Sequence, residues 1–311
     1  MLVWHAPAQV EFQNPVITLG FFDGVHLGHV QLLHELRRIG KELNRPTLVI
    51  SLWPHPHIVL GNDPYKFKLL TTLDYKKELI AETGIDAMLT LNFNLELAAL
   101  EPRDFLEEVL YKHLHPSAIL MGYDHRFGRG GKGDFGLLKE FADEKGIPAY
   151  LGKPFAVNGV TVSSTHIRAR LVNGEAELAA RSLGRDFGFY GTVVHGKQLG
   201  RSIGFPTANV QTTSGWQQLP SHGVYAGHCI LPSISSTELR PTLINVGTRP
   251  TVDIDGYVSV EAYIPSLHTS IYNQSIYVSF HQRIRNELKF ATLDALRQQI
   301  IKDVETLEEV L

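Results

Sequence analysis

The chain has 311 residues, a formal net charge of −3, 43% hydrophobic residues and 20% charged ones. At about 100–200 residues per domain, that length favours two domains with ordinary buried cores, and the near-neutral balance excludes a chain-wide basic footprint for nucleic acid. One cysteine, Cys229, excludes an intramolecular disulfide and fits a reducing compartment.

The N-terminal MLVWHAPAQVEF lacks a basic region followed by an apolar run, so a signal peptide is not expected. No run approaches the ~18 apolar residues of a membrane span, so the cytoplasm is the expected location. VITLGF at 16–21 reads as a strand and HVQLLHELRRIGKEL at 29–43 as a helix, with Val30, Leu33, Leu36 and Leu43 at helical spacing. TLVISLW at 47–53 is the next strand. LDYKKELIAETG, RDFLEEVLYKHL and GLLKEFADEKG then read as helices, with IDAMLTLNF, SAILMGY and IPAYLG as the strands between them. Such alternation predicts a parallel sheet with crossover helices, whose ligands bind beyond the carboxyl ends of the strands.

The pattern stops near Leu183-Gly184. Short Val-, Thr- and Gly-rich runs follow: YGTVVHG, GVYAGHCIL, PTLINVG, YVSVEAYI and SIYVSF, which predict an antiparallel sheet or barrel. Cys229 falls in one of them and reads as an inert buried thiol. A closing helix is predicted from an N-cap at Thr292, with Leu293, Leu296, Ile300, Val304 and Leu307 on one face. The predicted domains are 1–184 and 185–311, an α/β unit followed by a smaller β unit.

Three stretches of the first half suit a ligand site, two of them for phosphate. In GFFDGVHLGH at 20–29 the glycines permit a tight turn into a helix start, where unpaired N–H groups favour anions. His26 and His29, three apart, would share a face and donate hydrogen bonds to a reacting phosphate. Half a metal site, or two solvated surface histidines, are the other readings of the pair. SSTHIR at 163–168 opens a second helix with Ser164 as N-cap and Arg168 in the first turn. That arginine would neutralise the outgoing phosphates of a nucleotide, or simply be solvated. GYDHRFG at 122–128, followed by RGGKGDF, suits a loop over a ligand or a long surface turn.

In the second half, GKQLGRSIGFPTAN at 196–209 sets Thr207 and Asn209 two apart, on one side of an extended segment. Their oxygens suit Mg²⁺, although a turn entering a strand explains the pattern equally. Glu261, alternating with Val258 and Val260, stands out as a carboxylate that could sit on the open face of a strand, and periodicity alone reads it as a solvent-facing acid.

Taken together, these motifs resemble the prokaryotic bifunctional riboflavin kinase/FAD synthetase family along nearly the whole chain. The resemblance rests on G-x-F-D-G-V-H-x-G-H at 20–29, Pro-His-Pro at 54–56, G-x-(D/N)-x-x-F-G at 122–128 and S-S-T-x-I-R at 163–168. In the second half it rests on G-R-x-I-G-F-P-T-A-N at 200–209, G-V-Y-A at 223–226, N-x-G-T-R-P-T at 245–251, V-E at 260–261 and I-R-x-E-x-K-F at 284–290. It implies a Rossmann-like nucleotidyltransferase domain followed by a small antiparallel β-barrel riboflavin kinase domain with a C-terminal helix. The implied substrates are riboflavin, FMN and ATP, with FAD as product and Mg²⁺ as the metal, without nucleic acid or membrane; assembly state stays open. By the same resemblance, Gly20, Phe21, Phe22, Asp23, Gly24, His26, Gly28, His29, Ser164, Thr165 and Arg168 would handle the nucleotide of adenylyl transfer. Gly204, Pro206, Thr207 and Asn209 would handle that of the kinase, with Thr207 and Asn209 on the metal. Glu261 is the implied kinase base, His29 and Arg168 the adenylyl-transfer residues, and His55, Asp124 and Phe127 the flavin contacts. Leu52-Trp53 before Pro-His-Pro and AYIPSLHTSIYNQS after Glu261 depart from the family's pattern.

Overall fold

A computed structural model describes residues 1–63, 65–196, 199–248, 258–265 and 267–311. They form two compact units, Met1–Ser163 and Ser164–Leu311.

The first unit runs β1 (Leu2–Trp4), β2 (Val16–Gly20), α1 (Leu27–Leu43), β3 (Thr47–Trp53), α2 (Pro56–Val59), α3 (Leu73–Glu82), β4 (Ala87–Asn92), α4 (Leu95–Ala99) and α5 (Pro102–Asp104). A π-helical segment, Phe105–Tyr111, leads into α6 (Lys112–Leu114), β5 (Ala118–Met121), α7 (Phe135–Glu144), β6 (Ala149–Leu151) and the small β7–β8 hairpin (Ala156–Val157, Val160–Thr161). Strands β1 to β6 form one parallel sheet in the order β1-β4-β3-β2-β5-β6. Its central strands are apolar on both faces because helices cover both. Ile17, Leu19, Leu48, Ile50, Leu89 and Met121 share one core with Phe105, Leu110, Leu138 and Phe141, while α1 packs on β2 and β3. The expected strand–helix alternation is present, with β1 added beside β4. A three-residue strand, Leu2–Trp4, has too little periodicity to be read from sequence.

The second unit begins with α8 (Ser164–Val172) and α9 (Ala176–Leu183), which ends where Gly184 takes the left-handed conformation, φ 75°. Then come β9 (Phe187–Val194), α10 (Leu199–Ser202), β10 (Thr207–Thr212), β11 (Gly223–Leu231), β12 (Ser235–Thr248), β13 (Val258–Tyr263), β14 (Ser275–Arg285) and α11 (Leu293–Val310). The six strands close into a barrel, β10-β13-β12-β11-β14-β9, so the open choice between sheet and barrel resolves to a barrel. Phe189, Phe280 and Tyr225 meet ring to ring in its core, at centroid distances of 6.1 and 5.4 Å. Cys229 is buried there, and burial pushes its thiol pKa up, as an inert thiol requires.

Thr292 caps α11, accepting the Ala295 N–H at 3.2 Å. Leu307 packs on Val224, Ala226 and Leu243, with Ile300 and Val304 beside it. Two residues differ from the expected apolar face. Leu293 is 53% exposed, and Asp303 is buried because Arg285 of β14 holds its carboxylate through Nε and Nη2 at 2.7–3.0 Å. No helix among the described residues is long and apolar enough to cross a membrane.

Candidate active sites

In the first sheet the chain leaves β2 toward β3 and β4 on one side, while β5 and β6 lie on the other. The loops following β2 and β5 therefore flank the switch point where such sheets bind ligands. The two loops meet: the rings of Phe21 and His125 are 5.6 Å apart.

The loop after β2 has an unusual path. Phe22, Gly24 and Val25 have φ of 50°, 82° and 38°, and Phe22 and Val25 are both buried. Glycine accepts that region freely; phenylalanine and valine must be held there. The surroundings supply the hold. Asp23 turns its buried carboxylate inward, accepting the N–H of Leu70 at 3.0 and 3.1 Å and of Thr71 at 3.2 Å. The Gly24 N–H donates to Thr71 Oγ1 at 3.1 Å. The Phe21 carbonyl accepts from Lys76 Nζ at 2.7 Å and from Ser51 Oγ at 3.3 Å. Asp23 and Phe22 thus shape the loop from within.

At the end of the loop His26 caps α1, its Nδ1 accepting the His29 N–H at 3.3 Å. One helix-start donor is therefore already taken, which narrows the expected phosphate cradle. Accepting at Nδ1 leaves the proton of a neutral His26 on Nε2. The two imidazoles stack with centroids 3.6 Å apart, and His29 also lies 5.2 Å from Phe22. The expected shared face is thus present.

His55 follows the cis Trp53–Pro54 peptide and caps α2 by accepting the His57 N–H at 3.2 Å. Its ring lies 4.7 Å from Phe21 and 4.6 Å from Phe67, and Phe67 is 4.8 Å from His57. Phe21, His55, Phe67 and His57 form a run of flat rings beside the loop, suited to a planar ligand. Asp124 is exposed on the loop after β5. Phe127 is placed differently: it is 5% exposed, 6.0 Å from Phe105 and part of the core. Between them, His125 has a buried Nε2 with no hydrogen-bond partner among the described residues, and burial lowers its pKa to about 4, so the ring is neutral at pH 7.

Within the second unit, α8 starts at Ser164 itself, so this residue is the first helical position and not the N-cap. Thr165 is exposed and Arg168 half-buried on its first two turns.

On the barrel, β10 and β13 pair so that Asn209 faces Glu261 and Thr207 faces Tyr263. On the other side of β13, Asn245 of β12 also faces Glu261. Directly opposed residues share a face, so Asn209, Glu261 and Asn245 form one row across three strands. Their neighbours Val210, Val260 and Val246 turn into the core. Thr207 donates its hydroxyl to Glu261 Oε2 at 3.3 Å. Gly196 runs so close to the Asn209 amide that a Cβ there would lie 2.1 Å from Nδ2. Thr207, Pro206 and Arg201 also line a cavity of about 310 Å³, together with His268 and Tyr272. The Tyr272 ring is stacked on that of His195 at 3.9 Å. Gly204 is exposed in the turn before β10, with φ 89°.

Thr207 and Asn209 offer neutral oxygens beside one carboxylate, a donor set that fits Mg²⁺ shared with nucleotide phosphates. No group of three or more His, Cys, Asp or Glu able to hold a metal occurs among the described residues. The 249–251 part of the N-x-G-T-R-P-T motif, and Lys197 and Gln198 of the glycine-rich stretch, lie outside the described residues.

Sequence reasoning gives no individual role to Lys76, Asn245, His125 or Tyr272. For Lys76 a signal exists, since it stands between Tyr75 and Leu79-Ile80 on the buried side of α3. Asn245 opens the motif at 245–251, and its place beside Glu261 shows only in the register of β12 with β13.

Residues 8–166 match the family model for FAD synthetase, and residues 183–311 that for riboflavin kinase. A bifunctional riboflavin kinase/FMN adenylyltransferase of Escherichia coli (strain K12) is 38% identical over 305 residues, spanning 98% of this chain and 95% of the relative. Its namesake in Listeria monocytogenes is 34% identical over 290 residues, spanning 93% and 90%. A crystal structure described as a macrolide-efflux protein from Streptococcus pneumoniae aligns over 99% of both chains with TM-score 0.88 and 26% identity. With both family models matched in order, and relatives this similar over nearly the full length, the chain belongs to the bifunctional riboflavin kinase/FMN adenylyltransferase family.

Proposed function

We propose that the chain makes FAD from riboflavin in two steps on two separate sites: ATP and riboflavin give FMN and ADP on the barrel, then ATP and FMN give FAD and pyrophosphate in the FAD synthetase domain. The observation that carries this reading is the Thr207–Glu261 contact at 3.3 Å beside the 310 Å³ cavity, in a unit distinct from the one that holds His26 and His29. The functional boundary is taken near 184/185, where α9 ends and close to the start of the riboflavin kinase match. The packing division falls earlier, at 163/164.

The two chemistries ask different things of the chain. Riboflavin attacks the γ-phosphorus through a neutral ribityl hydroxyl, so a proton must leave as the bond forms. Glu261 is the acceptor, and ADP departs with the broken phosphoanhydride electrons. Thr207 and Asn209 would hold Mg²⁺ with the nucleotide; bound there, the metal neutralises phosphate charge. Pro206 and Gly204 shape the turn that brings Thr207 to the cavity. FMN attacks the α-phosphorus through a phosphate that is already anionic, and pyrophosphate leaves. No strong base is needed, so the chain's task is positioning and charge stabilisation. The loop from Gly20 to Gly28, with His26 through Nε2 and His29, meets the triphosphate. Ser164, Thr165 and Arg168 are assigned to the same reaction by their motif, with Arg168 supplying positive charge for the leaving group. His55 and the neighbouring rings receive the flavin, with Asp124 near its phosphate end and Phe127 anchoring that loop from the core. Cytoplasmic location belongs to the same reading.

Labelled ATP tests it. Given riboflavin, γ-labelled ATP is expected to label FMN, and α-labelled ATP to label FAD but never FMN. Alpha label in FMN, or no label in either product, would refute the assignment.

A further inference from the structure

Two adjacent lysines of α3 have opposite fates. Lys77 reaches solvent and pairs with Asp74 at 3.0 Å. Lys76 is 2% exposed, and its ammonium lies under the nucleotide loop: 2.7 Å from the Phe21 carbonyl oxygen, 3.5 Å from Ser51 Oγ and 5.5 Å from the centre of the Trp53 ring. Burying an ammonium is costly, and a helix can easily face a lysine outward, so this placement calls for a role. The peptide after Phe21 supplies one. In a trans peptide the carbonyl and the next N–H point opposite ways, so tying the Phe21 carbonyl inward fixes the Phe22 N–H pointing away from Lys76. The peptide sits where Phe22 and Val25 are held at positive φ, a path the backbone would otherwise leave.

We propose that Lys76 is a positioning residue for adenylyl transfer: its buried ammonium, hydrogen-bonded to the Phe21 carbonyl, holds the Gly20–Gly24 loop in the shape that receives the nucleotide phosphates. This rests on the function proposed above, with the FAD-forming site at that loop. The hold is titratable. Burial lowers the Lys76 pKa from 10.5 to about 8, and Asp23 alone among charged groups acts against the fall. The groups around it are Phe21 and Asp23 from the loop and Ser51 and Trp53 from β3. Above pH 8 the folded protein loses this proton first, which leaves a weaker donor to the Phe21 carbonyl and removes a positive charge near Asp23. FAD formation therefore falls as pH rises through about 8. The stability contribution of the same group runs the other way. Between about 8 and 10.5 the unfolded chain binds the extra proton, so this residue's contribution to stability rises with pH. Titration of Lys76 is thus not itself a cause of unfolding.

The test measures kcat for FAD formation from supplied FMN, and for riboflavin phosphorylation, across pH 7–10 in wild type and Lys76→Met. The expected result is an alkaline limb near pH 8 in wild-type FAD formation only. Lys76→Met should lose about 100-fold in that kcat, the scale of a small misplacement of reacting groups, and lose the limb, with phosphorylation intact. Lys76→Met with the wild-type rate or the wild-type limb overturns the inference. If Lys76→Met fails to fold, Lys76→Arg decides: its charge persists past pH 12, so the limb must move up, and an unmoved limb overturns it. Wild type making no FAD at all would instead sink the proposed function.

Discussion

Replacing Glu261 by glutamine changes one oxygen for an amide nitrogen on a strand fixed from both sides. The side chain keeps its length, and Oε1 can still accept the Thr207 hydroxyl that now sits 3.3 Å from the carboxylate. Its new NH₂ faces Asn209 and Asn245, whose amide oxygens accept hydrogen bonds. Stability should change by about 1 kcal/mol or less. Catalysis should change far more, because glutamine cannot take the ribityl proton. Loss of a general base lowers kcat about 10²–10⁴-fold, or about 3–5 kcal/mol of barrier. The assay is FMN formation from riboflavin and ATP, alongside FAD formation from supplied FMN and a thermal melt. FMN formation should collapse while FAD formation and the melt stay put. FMN formation within threefold of wild type would refute Glu261 as base, and parallel loss of both activities would refute separate sites.

Other consequences follow from the same geometry. His29→Ala removes a ring stacked on His26 at 3.6 Å and should lower FAD formation about 100-fold, with riboflavin phosphorylation unchanged by the same chromatographic assay. Asp303→Ala strips the carboxylate from a buried ion pair whose side chains are 17% and 2% exposed. The Arg285 charge is left uncompensated, at a cost of about 3–5 kcal/mol in the urea unfolding of the second unit. A loss under 1 kcal/mol would mean solvent reaches Arg285.

Much of this was legible in the residues, and the limits have physical reasons. TLVISLW is a strand at both its expected ends, Thr47–Trp53, because a parallel strand covered on both faces has no polar interruption to blur it. Thr292 caps α11 as expected because capping is local, fixed by the residue and its next turn. Closure of the barrel is not local. It depends on β9 pairing with β14 and on β10 pairing with β13, strands separated by long stretches of chain, and no short pattern encodes that choice. Asp303 illustrates a second limit. Its burial rests on an arginine from β14, so the helix face looks polar until its partner is known. Lys76 is the same case at the candidate site, where an ordinary-looking Lys-Lys pair conceals one ammonium turned into the loop that the motif defines. The motif names the loop, and the three-dimensional structure shows what holds it.

The measurement that bears most directly on the account is a time course of purified protein with riboflavin, excess ATP and Mg²⁺, resolving riboflavin, FMN and FAD. FMN should rise first and FAD follow as FMN is consumed. No conversion of riboflavin, and none of FMN supplied directly, would contradict the two-site enzyme outright.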